Sequence, residues 1–212
     1  MTYQELQECV IAGRQQKVAE LTERFLEDGV PPRDLLHDGL LPGMAVVGRK
    51  FEDGEFFIPE MLLAARALNA GLDLLKPLLE ESDIQPVARV VLGTVKGDIH
   101  DIGKNLVAIM LRGGGFEVID AGVDVAPDRF IELVRESGAD LVGLSALLTT
   151  TMPAMQDTID AFVARGVRET VKIIVGGAPV TEAYALQIGA DGYARNASAA
   201  VGVANALTAA KP

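Results

Sequence analysis

The chain has 212 residues, 49% of them hydrophobic, and a formal net charge of −11. That apolar content supports a sizeable core rather than disorder, and the length suits one or two domains. The acidic balance, with no Lys/Arg stripe to offset it, argues against a nucleic-acid partner, and no apolar run reaches the length of a membrane span.

The N-terminus has no basic segment followed by an apolar stretch, so no secretory signal is expected. Cys9 is the sole cysteine. It excludes an intramolecular disulfide and a multi-cysteine zinc site, and it fits a reducing cytoplasm.

Residues 1–80 read as helix after helix. Leu6, Cys9 and Val10 share one face of the first, and Val18, Leu21 and Phe25 recur at helical spacing in the second. Gly29 closes that helix and Pro31-Pro32 opens the third, which carries Leu36, Leu40, Met44 and Val47. Gly39, Pro42 and Gly43 are expected to weaken or kink it. A turn at Glu52-Asp53-Gly54-Glu55 leads to Pro59 and a long fourth helix ending near Leu79. Four helices joined by short loops predict an all-α bundle.

The polar, proline-containing stretch at 81–87 predicts a linker. After it the rhythm changes. Apolar, β-branched runs at 88–95, 116–121, 140–146 and 171–175, with a short one at 190–194, alternate with helical patterns near 104–113, 127–137, 152–165, 180–188 and 197–210. Residues 88–212 are therefore expected to form a flavodoxin-like (Rossmann-like) α/β domain around a five-stranded parallel sheet. Ligands in such folds bind outside the carboxyl ends of the strands. His100, Ser145 and Gly176-Gly177 all fall at such ends and should share one rim.

The first strand leads through Lys96-Gly97 into Asp98-Ile99-His100-Asp101-Ile102-Gly103. Of the two histidines, His37 and His100, the second has a carboxylate two residues before it and a glycine three after. That arrangement suits a metal-ligating imidazole whose other nitrogen is oriented by an acid. Gly103 would allow close backbone approach or an unusual dihedral. A single imidazole without further ligands makes no zinc or iron site, but it suits a metal already held by a macrocycle. In isolation, Ser145 reads as a strand-end cap, Gly176-Gly177 as a turn, Thr149-Thr150-Thr151 as a helix N-cap, Asp101 as a charge at a helix N-terminus, and Phe51, Phe57, Ile58 and Met61 as bundle core.

Asp98-x-His100-x-x-Gly103, then Ser145-x-Leu147, then Gly176-Gly177, resembles the signature of cobalamin-binding domains in methionine synthase, corrinoid methyl carriers and cobalamin-dependent mutases. The spacing is similar too, with 41 residues between Gly103 and Ser145 and 28 between Leu147 and Gly176. The resemblance implies that His100 is the lower axial ligand to cobalt and Asp98 its hydrogen-bond partner. It implies that Gly97, Ile99 and Asp101 touch the corrin edge. Ser145, Leu147 and Thr149 would line the slot for the nucleotide tail, with Gly176, Gly177 and Ala197 close to that tail. Thr151 stands where methionine synthase has a hydroxyl relaying from the aspartate, and His37 where it has a glutamate facing the upper side of the cofactor.

Gly43-Met44-x-x-Val47-Gly48-x-x-Phe51, with Phe57-Ile58-Pro59, resembles the helical cap of methionine synthase and corrinoid methyl carriers. The match implies that Phe51 and Ile58, with Phe57 and Met61 beside them, cover the methyl-bearing face of cobalamin. Mutases lack this bundle. The resemblance covers nearly the whole chain and implies a methyl carrier, loaded by a substrate-specific methyltransferase and unloaded by an acceptor methyltransferase acting on tetrahydrofolate or a thiol. A reductive activation protein is a further implied partner, and a swing of the bundle about residues 80–87 would expose the upper face. The other reading is a cobalamin-responsive regulator, which would need an output module that this sequence does not display. A receiver-like domain is disfavoured because Gly192-Tyr193-Ala194-Arg195-Asn196 lacks the expected lysine.

Overall fold

The computed structural model describes residues 2–81 and 86–209, which form two compact units, one helical and one α/β. Positions 82–85, most of the expected linker, lie outside the described residues.

In the helical unit, α1 (Tyr3–Ile11) starts at Thr2, whose hydroxyl accepts the Glu5 N–H at 3.2 Å and satisfies one otherwise unpaired donor. It buries Leu6, Cys9 and Val10. α2 (Gln15–Glu27) buries Val18, Leu21 and Phe25 and stops at Gly29, whose φ of 79° suits a residue without a Cβ. Pro32 opens α3 (Pro32–Asp34), which runs through a π-helical turn, Leu35–Leu40, into α4 (Leu41–Glu52).

The expected weakness at 39–43 takes the form of that turn. Pro42 has no N–H to offer the Asp38 carbonyl; Gln7 Nε2 of α1 donates to it instead at 2.7 Å. Gly43 lets α1 and α4 approach closely, since a Cβ there would lie 3.0 Å from the Gln7 carbonyl oxygen. α5 (Ile58–Glu81) packs against α2. Its first turn is set by Glu60, whose carboxylate accepts the Phe57 N–H at 3.0 Å, half of a capping box. Lys50 pins the turn before it, 2.6 Å from Glu55 and over the Phe56 ring.

The α/β unit runs β1 (Arg89–Val95), α6 (Ile102–Gly113), β2 (Glu117–Val125), α7 (Pro127–Ser137), β3 (Leu141–Ser145), α8 (Pro153–Ala164), β4 (Lys172–Gly176), α9 (Glu182–Gln187), β5 (Gly192–Ala194) and α10 (Ala197–Ala209). All strand pairs are parallel, in the order β2-β1-β3-β4-β5. Successive residues of β1 serve opposite faces: Val91 and Val95 pack with Phe130, Val142 and Phe162, while Val90 packs with Leu111, Phe116 and Ile174. Phe130 and Phe162 are fully buried, each worth roughly 1.5–3 kcal/mol of transfer free energy.

β2 departs from expectation. It continues past residue 121 to Val125 and bulges twice against β1. Leu92 to Gly93 is matched by Asp120 to Gly122, and Gly93 to Val95 by Gly122 to Val125, so each step adds one residue to β2. The opposite neighbours stay regular. Thr94, Ser145, Gly176 and Ala194 are paired in a row across the carboxyl rim, spanning the switch point between β1 and β3.

Candidate functional site

The loop from β1 to α6 carries the chemistry. Asp98 is 1% exposed, and both carboxylate oxygens are used. Oδ1 lies 2.7 Å from His100 Nδ1 and accepts the His100 N–H at 3.1 Å. Oδ2 accepts the Leu147 N–H at 2.8 Å and the Thr151 hydroxyl at 2.6 Å. Burial by itself pushes this carboxyl up, but hydrogen bonds from Thr151, Leu147 and His100 outweigh it and hold Asp98 well below the usual carboxylate range.

An ionised Asp98 only accepts hydrogen bonds, so His100 Nδ1 must carry a proton. In the neutral ring Nε2 then holds the lone pair. No hydrogen bond uses Nε2 among the described residues, and the side chain is 45% exposed. An oriented imidazole with an accessible basic nitrogen is the form in which histidine ligates a metal. The backbone is fixed as well, because the buried Thr94 hydroxyl donates to the His100 carbonyl at 2.9 Å.

Around the imidazole the surface is apolar and open: Ile99, Ile102, Leu147 and Leu148 are all exposed. Asp101 is exposed and accepts the Asn105 side-chain amide at 3.1 Å. Gly103 has neither a positive φ nor any atom within 4 Å of an added Cβ, so the unusual dihedral allowed from the sequence is absent. Nothing in the folded chain demands a glycine there; the space it leaves faces outward.

Gly177 is the opposite case. At φ 134° its added Cβ would lie 1.9 Å from the Ala146 carbonyl oxygen, and one on Gly176 would lie 2.8 Å from that of Ala194. Ser145 is half-buried, Thr149 exposed, and Ala197 buried at the start of α10. In the helical unit Phe57 and Ile58 are exposed, Phe51 is half-buried and Met61 fully buried. His37 is exposed on the π-helical turn.

Three features of the α/β unit escape a reading of the sequence. Lys104 is 3% exposed and binds Asp120 of β2 at 2.6 and 2.7 Å and Asn105 at 2.8 Å. Burial alone would push the Asp120 carboxyl up; its bonds from Lys104 and the Gly122 N–H hold it down. A lysine within the apolar period of α6 was the available signal. The Thr94 hydroxyl was hidden inside an apolar run. Asp124, bonded to Gly97, gave no signal because β2 was expected to end before it.

A profile for the B12 binding domain matches residues 88–202, and a second B12 binding domain profile matches residues 2–76. The chain belongs to the B12-binding corrinoid proteins. It is 44% identical to dimethylamine corrinoid protein 1 of Methanosarcina acetivorans over 97% of each chain. Among solved structures it is similar to a cobalamin-binding protein from Desulfitobacterium hafniense, with a TM-score of 0.81, 33% identity and 98% of each chain covered. It is also similar to the methanol:cobalamin methyltransferase complex of Methanosarcina barkeri, with a TM-score of 0.86 and 31% identity over 97% of this chain and 79% of that one.

The cofactor of the family is a corrinoid, and the residues at the rim fit one. Among the described residues no group of three or more His, Cys, Asp or Glu is placed to hold a bare ion. One accessible imidazole nitrogen suits a metal that brings its own macrocycle. The exposed Ile99 and Ile102, and the outward space at Gly103, suit contact with the broad face of such a macrocycle.

Proposed function

We propose that the protein carries a methyl group on its corrinoid between a substrate-specific methyltransferase and a second methyltransferase serving an acceptor such as tetrahydrofolate or a thiol. The observation that carries this reading is His100, with Nδ1 held by Asp98 at 2.7 Å and Nε2 left for a ligand. Bound cobalt supplies a centre that accepts and releases a methyl group. His100 would ligate it through Nε2, with Asp98 fixing the tautomer and Thr151 holding Asp98. Gly97, Ile99, Asp101 and Gly103 border the ring. Ser145, Leu147, Thr149, Gly176, Gly177 and Ala197 line the path of the nucleotide tail.

Residues 1–80 form the cap in this reading, with Phe51, Phe57 and Ile58 toward the upper face and the fully buried Met61 supporting them from the core. A hinge about residues 80–87, which include the 81–87 linker, would let the cap clear that face for each partner, and 88–212 would hold the cofactor. A reductive activation protein restores the carrier when its cobalt is oxidised. The setting is the cytoplasm, supported by the single cysteine, Cys9, which is free and buried, and by the lack of any helix among the described residues long and apolar enough to cross a membrane. Likeness to the dimethylamine corrinoid protein supports a methylated amine as the first methyl donor to test.

The protein loaded with hydroxocobalamin, desalted and reduced, should change its visible spectrum when a methylamine-specific methyltransferase and its amine are added. His100→Ala should keep some cofactor but lose histidine ligation. Loaded protein that never turns over with methylamine, methanol or methoxy-aromatic methyltransferases would defeat the carrier role in favour of a cobalamin-responsive regulator.

A further inference from the structure

We infer that Asp124, at the second bulge of β2, is a positioning residue that sets the pose of His100; the inference rests on His100 being the cobalt ligand. Among the described residues Asp124 is the one non-glycine with a positive φ, 52°. L-residues disfavour that region, and Asp and Asn tolerate it best after glycine. The bulge imposes it, because β2 spends an extra residue between Gly122 and Val125 to stay in register with β1. A bulge beside a functional loop re-aims a side chain, and here it aims both polar groups of one residue at the same turn.

The Asp124 N–H donates to the Asp98 carbonyl at 2.8 Å, and Asp124 Oδ1 accepts the Gly97 N–H at 2.7 Å. Between these two bonds the Asp98 N–H donates back to the Val95 carbonyl at 3.1 Å. Gly97 turns at φ 84°, a soft residue needing an external restraint. Asp124 is that restraint. Its grip passes to the imidazole through the backbone and carboxylate of Asp98, which meets His100 Nδ1 at 2.7 Å.

β2 grips the other end of the loop as well. Asp120, at the first bulge, holds buried Lys104 at the start of α6 at 2.6 Å. The two bulges therefore bracket residues 97–104. Asp124 is itself exposed, so its carboxylate adds little to global stability, and its effect falls on the loop.

Three substitutions separate the side chain from the backbone strain. Asp124→Gly keeps the positive φ and drops the acceptor, Asp124→Ala loses both, and Asp124→Asn keeps an acceptor oxygen and tolerates the φ. Each protein is loaded with hydroxocobalamin and reduced to Co(II). Histidine ligation is read by EPR with ¹⁵N-histidine, and the ligand-on to ligand-off balance by visible titration against pH. Asp124→Gly should shift that balance about tenfold toward histidine-off, the loss typical when a ligand's supporting partner is removed, with its thermal midpoint within about 2 °C of wild type. Asp124→Asn should restore most of it. Wild-type balance in Asp124→Gly overturns the inference. If wild-type protein itself shows no ¹⁵N-histidine coupling, the ligand assignment has failed instead, and amide exchange in the cofactor-free protein decides Asp124: faster exchange at Gly97–His100 in Asp124→Gly supports the latch, and unchanged exchange refutes it.

Discussion

The β1–α6 loop and the tip of the helical unit, residues 51–61, show two ways of presenting a surface. The loop is over-determined. The Asp98 carboxylate alone takes four hydrogen bonds, and Thr94 and Asp124 tie the backbone on either side of it. The tip is held mainly at its ends, by Lys50 with Glu55 and by Glu60 on the Phe57 N–H, and it offers exposed Phe57 and Ile58 with no polar partner for either side chain. A group that must meet one metal atom at a fixed angle needs such a network, whereas an apolar cover needs only area.

The largest effect separates the two glycine types of the rim. Gly177→Ala places a methyl 1.9 Å from the carbonyl oxygen of Ala146, a residue tied to β4 by its N–H on the Gly176 carbonyl. It should cost about 4 kcal/mol or more, visible as a collapse of the urea midpoint. Asp98→Ala comes next. It strands the Leu147 and His100 N–H groups and leaves the Thr151 hydroxyl only the Leu148 carbonyl, at about 3 kcal/mol by denaturant unfolding.

The same carboxylate predicts a pH dependence. Its folded pKa is depressed, so its stabilisation is present above the unfolded value near 4 and is lost as pH falls toward the lower folded value. Asp98→Asn should therefore flatten the acid limb of the stability curve; an unchanged limb would place the acid sensitivity elsewhere.

The helical tip gives a sharper contrast. Met61→Ala should cost about 2–3 kcal/mol because Met61 is fully buried, while Phe57→Ala should stay within about 0.5 kcal/mol in the same unfolding measurement. If Phe57→Ala nevertheless speeds photolysis or solvent attack on the bound methyl group, Phe57 serves the cofactor and not the fold. Gly103→Ala, which meets no atom within 4 Å, should lose no stability and gain up to about 1 kcal/mol from helix propensity. Its cost should appear only as weaker retention of cobalamin on desalting, which is what distinguishes it from Gly177→Ala.

Much of this was legible from residue order. Period and punctuation marked the helices, because Gly29, Pro32 and Pro59 act locally through φ and a missing N–H. The alternation of β-branched runs with helical stretches implied a parallel sheet, since strands buried on both faces read as continuous apolar runs. The triplet Asp98-x-His100 implied its own hydrogen bond, because two residues of loop bring the groups within reach, and the contact expected between Asp98 and Thr151 is formed at 2.6 Å.

Tertiary structure alone decided the rest. The π-helical turn at Leu35–Leu40 depends on Gln7 reaching the Asp38 carbonyl across 31 positions of sequence. The burial of Lys104 depends on Asp120 arriving from a neighbouring strand, and the role of Asp124 on a register slip between β1 and β2. Local chemistry fixes what a residue can do with its own neighbours; a partner supplied by another element is invisible until strands and helices are paired.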